Sequence, residues 1–339
     1  MLSSLISFSS PTELKHALTG TLSDDDAKAF DELESKGLPP IVSLRTFALI
    51  LGVTKLLAFI GHEPQNFYRI FEIQKKSGGK RVIRAPRTYL KCIQMFIARE
   101  ILEKQLFPDF VTGFVPRRGI VKNANLHLQA RFLLNIDIED FFGSVDEKSV
   151  QIVFRDLGFS KSVSDLLASL CCYKDRLPQG APTSPLLSNL AFAKVDRQVQ
   201  SLCKASRISY SRYADDLSFS SNRPFEENFR DRVGRILEKD GFRINQKKTR
   251  YAGPGQALHV TGMLVNEVVQ PPRELRRRVR AMFHQAVTDP KRLKETKVKL
   301  TGWASYVHSY NPRLGKSYLK IARGLKSPHV EPPKKNLSR

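Results

Sequence analysis

The chain has 339 residues, 56 of them Lys or Arg and 33 Asp or Glu, giving a formal net charge of +23 with 41% hydrophobic residues. That length and apolar fraction suit two or three packed units and exclude wholesale disorder. A positive excess this large repels itself in a compact state unless a polyanion neutralises it, so nucleic acid is the first partner to consider.

The charge is not evenly spread. Residues 271–339 hold 18 Lys or Arg against 4 Asp or Glu, a net of +14, which makes the C-terminal fifth the main polyanion-binding element. An anionic membrane is the alternative partner, but the longest apolar stretch, residues 46–61, is interrupted by Thr54 and Lys55. It falls short of the roughly 20 residues that span a bilayer. The N-terminus lacks a basic region ahead of its few apolar residues and does not read as a secretory signal. Cys92, Cys171, Cys172 and Cys203 form no Cys-x-x-Cys pair, which argues against a zinc site or a disulfide framework and for a reducing, cytoplasmic protein.

In chain order, Ser23 precedes three aspartates and a helical pattern that stops at Gly37-Leu38-Pro39-Pro40. An N-cap and acidic first turn explain those aspartates better than a metal does. A second helical pair is expected over residues 42–60. Residues 68–73 and 81–84 alternate about a basic tip, which predicts a hairpin, and a long amphipathic helix is expected over residues 88–105. A loop with Arg117-Arg118-Gly119 follows, then a helix over residues 123–131 and a buried strand over residues 132–138. Helices between residues 147 and 172 lead to the loop Leu177-Pro178-Gln179-Gly180-Ala181-Pro182 and a further helix to about residue 205. Two strands, residues 208–213 and 217–221, precede a helix over residues 226–239 and short strands to residue 266. Pro271-Pro272 opens a helical, basic C-terminal region.

The chemistry rests on carboxylates. Tyr213-Ala214-Asp215-Asp216 lies between two β-rich runs, which puts adjacent acids at a hairpin tip; alone, it fits a solvated Asp turn equally well. Asp137 ends an apolar strand. A charge there, beside an Asp-bearing hairpin, is an arrangement that binds divalent cations. Two Mg²⁺ ions about 4 Å apart stabilise both the attacking and the leaving oxygen of an in-line phosphoryl displacement.

Asp137 in its strand, Leu177-Pro178-Gln179-Gly180-Ala181-Pro182-Thr183-Ser184-Pro185, Tyr213-Ala214-Asp215-Asp216 and Gly241-Phe242-Arg243-Ile244-Asn245-Gln246-Lys247-Lys248-Thr249 resemble, in order and spacing, the palm motifs of reverse transcriptases. Asn123-Ala124-Asn125-Leu126-His127 and Val260-Thr261-Gly262 match two short signatures of the bacterial retron reverse transcriptases. His127 on a helix also fits a satisfied structural histidine, and Val260-Thr261-Gly262 also fits a strand end.

The resemblance, covering about residues 65–320, implies an α+β right-hand polymerase fold. Its parts would be a helical N-terminal extension (1–64), fingers (65–122), a palm with an antiparallel sheet (123–266, part of the fingers interleaved around 147–205), and a basic helical thumb and tail (267–339). It also implies an RNA-directed DNA polymerase in which Asp137 and Asp215 bind two Mg²⁺ ions, with Asp216 and the Ile138 carbonyl contributing. Lys248 would act near the pyrophosphate, with Lys247 the alternative. Arg81 is the first choice among Lys75, Lys80, Arg81 and Arg84 for gripping the dNTP triphosphate. Gln179 and Gly180 would line the nucleotide site, and Phe142 would exclude a ribose 2′-hydroxyl, although either Phe141 or Phe142 must point into the core. Asn123, His127, Val260, Thr261, Gly262, Arg276, Arg277 and Arg280 would contact RNA. The implied partners are a structured noncoding RNA that serves as template and primer, dNTPs, the RNA–ssDNA product (msDNA), an accessory effector protein in antiphage defence, and a separate ribonuclease H, with no membrane. Other readings are a group II intron-like or abortive-infection reverse transcriptase, or an idle RNA-binding scaffold that restrains an effector.

Overall fold

The structure is a computed structural model and describes residues 11–325 apart from 19, 54–56, 58–59, 76–77 and 290–295. Its N-terminal helices begin where side chains supply the missing hydrogen bonds of a first turn. After α1 (Pro11–Ala17), Ser23 caps α2 (Asp24–Ser35) by accepting from the Asp26 amide, so the three aspartates form an acidic first turn as expected. Ser43 and Thr46 form a reciprocal capping box on α3 (Leu44–Leu51). The expected partner of α3 falls largely on residues outside the described set.

The basic hairpin is present as β1 (Tyr68–Gln74) and β2 (Lys80–Pro86), paired from Tyr68↔Pro86 to Gln74↔Lys80. All of β1 beyond Tyr68 is exposed, so the ribbon projects from the body. α4 (Thr88–Ile97) continues into one wider turn, Ala98–Leu102, and buries Leu90, Ile93, Phe96 and Ile101.

The next helix differs from expectation. α5 spans Ile120–Asn125 rather than residues 123–131. Gln129 adopts φ +62° and donates its amide to the Val265 carbonyl, so a tertiary contact ends the helix early.

The central sheet has the order β4-β5-β3-β6, antiparallel throughout: β3 is Phe132–Asp137, β4 Ser209–Tyr213, β5 Asp216–Ser221 and β6 Arg250–Ala252. In β3, Leu133, Leu134 and Ile136 are buried with the neighbouring strands. Between β3 and β4 run α6 (Phe141–Ser144), α7 (Glu147–Leu157), α8 (Lys161–Cys171), α9 (Ser184–Ala191) and α10 (Ala193–Ala205); α11 (Phe229–Lys239) follows β5. A small hairpin, β7 (His259–Val260) and β8 (Met263–Leu264), leads to three C-terminal helices: α12 (Arg273–Thr288), α13 (Lys297–Tyr310) and α14 (Pro312–Gly324). None of the described helices is long and apolar enough to cross a membrane, and all four cysteines are free thiols.

Three apolar clusters organise these parts. The largest runs from Leu14 through Phe47, Phe154 and Phe219 to Phe242, so the N-terminal helices share one core with the sheet and no core boundary falls at residue 64. The C-terminal helices close their own cluster around Phe283, Leu300 and Tyr318, with the Phe283 and Tyr318 rings stacked 3.9 Å apart. A third cluster, with Ala124, Leu133, Val260, Met263 and Val265, receives Tyr306 and Tyr310 of α13 and joins the two bodies.

His127 is a structural pin. It is 1% exposed, its Nδ1 lies 2.7 Å from Ser220 Oγ in β5 and its Nε2 2.7 Å from Ser211 Oγ in β4. Burial pushes its pKa down to about 4. The neutral ring is thus favoured in the folded state, and its contribution is complete above the unfolded pKa and lost as pH falls towards the folded one. Between pH 7 and 4.5 the loss amounts to about 2 kcal/mol. Thermal melts of wild type and His127→Gln should show a stability gap that narrows by that order on acidification; a gap independent of pH would contradict the assignment.

Candidate active site

Strand register creates the site. β3 and β5 pair so that Asp137 lies opposite Asp216, while β4 and β5 are joined by the two residues Ala214 and Asp215. Three carboxylates therefore meet at one end of the sheet. Asp137 is 8% exposed; Lys248 Nζ donates to its Oδ2 at 2.8 Å, and its Oδ1 is buried without a hydrogen-bond partner. Ile138 continues the chain, its amide donating to the Asp215 carbonyl at 2.9 Å, and the Asp137 carbonyl accepts from the Asn245 amide at 2.8 Å. The Lys248 segment is thereby tied to the end of β3.

The electrostatics follow from this crowding. Burial, then the neighbouring Asp215 and Asp137, push Asp216 up to about 6; burial also raises Asp215, which Asp137 raises further and Lys248 and Arg81 partly offset. The hydrogen bond to Asp137 raises Lys248. Asp137 is buried, Asp215 half-buried and Asp216 exposed; like charges crowded at one strand end call for a cation, and the orphaned Asp137 Oδ1 is a hard oxygen donor suited to a divalent one. Among the described residues no three such side chains are grouped closely enough to hold an ion as they stand.

The β1–β2 ribbon docks beside the site. The Arg84 amide donates to the Gln179 carbonyl at 2.8 Å, and the Arg84 guanidinium lies 5.5 Å from the centre of the Tyr173 ring. Gly180 takes φ +121°, and a Cβ there would lie 2.8 Å from Ile83 Cγ2. Only glycine meets both demands. Arg81 lies close enough to act electrostatically on Asp215. Lys75 closes the ribbon tip, its amide donating to the Gly79 carbonyl. Of the two aromatics that follow Asp137, Phe141 enters the core and Phe142 stays half-buried beside Phe114, ring centres 6.0 Å apart.

Comparison with known proteins places this geometry. Residues 73–302 match the family model "Reverse transcriptase (RNA-dependent DNA polymerase)". The chain is 34% identical over 287 residues to the Retron Ec86 reverse transcriptase of Escherichia coli, covering 83% of this chain and 88% of that protein. It belongs to the retron reverse transcriptases. The Retron Mx162 reverse transcriptase of Myxococcus xanthus is 31% identical, over 89% of this chain and 72% of its own, and the Retron Mx65 enzyme of the same organism 33% identical, over 83% and 71%. Among solved structures, telomerase from Candida albicans in complex with a TWJ fragment of telomeric RNA is similar with a TM-score of 0.47 and 12% identity, over 75% of this chain and 54% of that one.

The chain is thus an RNA-directed DNA polymerase with a right-hand fold. Its substrates are an RNA template and dNTPs, and reverse transcriptase domains generally use divalent metal ions.

The residues assigned to RNA contact fall into two groups. Arg277 and Arg280 are exposed on α12, and Arg276 is half-buried with Nε donating to the Pro271 carbonyl. Asn123, His127 and Val260 are instead fully buried, which corrects the expectation that their side chains face RNA. Asn123 Oδ1 accepts from Thr112 Oγ1 at 2.7 Å, and its Nδ2 reaches Thr261 Oγ1 at 3.5 Å. Thr261 (φ +46°) and Gly262 (φ +80°) form the β7–β8 turn, where Thr261 is half-buried and Gly262 exposed.

A buried group not anticipated from the sequence stands behind the β4–β5 hairpin: Arg212, Asp196 and Asn189. A charged residue two positions from Tyr210, on the same face of a strand, and an aspartate on the apolar face of α10 beside Val195 and Val199 were its only signals.

Gly180→Ala should lower dNTP incorporation at least tenfold, with RNA affinity in a filter-binding assay within twofold of wild type, because strain and the Ile83 clash displace the β1–β2 ribbon from the Gln179-Gly180 loop. Wild-type incorporation would refute that docking.

Proposed function

We propose that this enzyme reverse-transcribes a structured noncoding RNA encoded beside it, priming from an internal 2′-hydroxyl, and so makes a branched RNA–ssDNA hybrid (msDNA). The carrying observation is the meeting of Asp137, Asp215 and Asp216 at one end of a buried sheet in a chain whose relatives are retron reverse transcriptases. Asp137, Asp215 and Asp216 would hold two Mg²⁺ ions, with the Ile138 carbonyl nearby. When bound, such ions supply charge stabilisation to the entering and leaving oxygens.

Around that centre, Lys248, whose Nζ donates to Asp137, would offset charge on the departing pyrophosphate. Arg81 and Lys75 grip the triphosphate, Gln179 and Gly180 seat the nucleotide against the template, and Phe142 limits space at the ribose 2′ position. Arg276, Arg277 and Arg280 follow RNA phosphates, an attraction that weakens steeply with salt. Asn123, His127 and Val260 support this surface from beneath, with Thr261 and Gly262 at its turn. The product serves antiphage defence in the cytoplasm together with an effector protein, and a separate ribonuclease H removes template.

The test incubates the purified protein with its neighbouring noncoding RNA, Mg²⁺ and dNTPs, then treats the product with a debranching enzyme. Release of free DNA from a branched product is expected, and a product extended from an ordinary 3′ end would overturn the priming claim. Asp215→Asn should reduce synthesis below detection and leave RNA affinity unchanged; retained incorporation would remove Asp215 from the catalytic set.

A further inference from the structure

We propose that Arg212, held by Asp196 and Asn189, is a positioning residue that sets the backbone of the catalytic Ala214-Asp215 turn. The inference rests on the reading of Asp215 as a catalytic carboxylate.

Arg212 is the largest side chain in the described protein with no exposed surface. Its guanidinium meets Asp196 through Nη2 to Oδ2 at 2.6 Å and Nε to Oδ1 at 2.9 Å, while Tyr210 donates to the same Oδ1 at 2.7 Å. Its cationic face lies 4.7 Å from the Phe192 ring centre. Desolvating both charges costs so much that a buried ion pair adds little net stability, and apolar side chains of equal volume often do as well. What such a pair can supply is fixed geometry, and here the remaining nitrogen shows what is being fixed.

Nη1 donates to Asn189 Oδ1 at 2.8 Å and reaches the Ala214 carbonyl at 3.3 Å. Asn189 in turn donates through Nδ2 to the Gly113 carbonyl at 2.9 Å. Gly113 lies directly on the turn: a Cβ there would be 2.4 Å from the Ala214 nitrogen. The turn is therefore clamped on two sides, its Ala214 carbonyl by Arg212 and its Ala214 amide face by the Gly113 backbone, and Asn189 ties the two clamps together. Ala214 needs that restraint because it sits at φ +59°, a left-handed conformation unfavourable for alanine. The peptide whose carbonyl Arg212 holds leads directly into the Asp215 backbone that carries the carboxylate. Rotation of that peptide would swing the carboxylate.

The test compares full-length Arg212→Lys, Asn189→Ala and Tyr210→Phe on an RNA template with an annealed DNA primer. It measures kcat and KM for dNTP, the Mg²⁺ concentration giving half-maximal rate, and the thermal midpoint. Arg212→Lys keeps the charge beside Asp196 but loses the fork, and Asn189→Ala keeps the ion pair but unlinks Gly113. Both should lower kcat at least tenfold and raise the Mg²⁺ requirement at least threefold, with KM within twofold. Tyr210→Phe weakens the same ion pair without touching the turn, so it should lower the thermal midpoint and leave both kinetic readouts within twofold of wild type. Normal kcat and Mg²⁺ dependence in a folded Arg212→Lys or Asn189→Ala would overturn the proposal. So would a deficit that disappears on assay well below the variant's melting point, or failure of both to fold, since the group would then serve stability alone. Asp215→Asn, run in parallel, separates the two claims: if it is active the catalytic reading fails, and if it is inactive beside normal positioning variants only this inference fails.

Discussion

The antiparallel register that sets Asp137 opposite Asp216 is the constraint on which the rest of the molecule depends. It brings two carboxylates to facing positions and, through a two-residue connection, a third beside them. Carboxylates confined this way repel one another and are partly desolvated, so the pKa values of Asp215 and Asp216 rise, and one oxygen of Asp137 is left without a partner. Such a site is unfavourable as it stands, and a cation bound there would relieve the repulsion. Lys248 partly answers that demand, with Nζ on Asp137, and its own chain segment is bound to the end of β3 through Asn245.

The surrounding fold keeps this unfavourable end of the sheet from relaxing. β3 is buried between β5 and β6, and His127 fastens β4 to β5 with both ring nitrogens. Asn123, four residues earlier, ties Thr112 to the β7–β8 turn, while Thr112 also bonds the Arg212 carbonyl in β4. The buried side chains of the two short signatures, Asn123, His127 and Val260, thus form part of the internal bracing between the central sheet and the β7–β8 hairpin, while Asn125, Leu126 and Gly262 reach the surface. The β1–β2 ribbon is joined by a different device, the backbone of the Gln179-Gly180 loop laid on β2.

Much of this was legible from residue order. An apolar run that ends in Asp137 and an Asp-Asp pair between two alternating runs can only be strand ends, because side chains alternate across a strand and the acids are tolerated only where it meets solvent or a cation. The β1–β2 hairpin and the N-cap at Ser23 were equally local. The end of α5 was not, because it is decided by the bond from Gln129 to Val265, far along the chain. For the same reason the burial of Asn123 and His127 was hidden: their partners, Thr112, Thr261, Ser211 and Ser220, are scattered in sequence. Arg212 reads as one more basic residue among 56 Lys and Arg until Asp196 and Asn189 are placed around it.

The central claim is that the crowded carboxylates form a divalent-cation site. Its most direct measurement is Mn²⁺ binding to the protein without nucleic acid, followed by the loss of the free-ion electron paramagnetic resonance signal in wild type, Asp137→Asn and Asp215→Asn. Binding by wild type, weakened at least tenfold in both variants while their thermal melts stay cooperative, is the predicted result. Equal binding by all three proteins would contradict it.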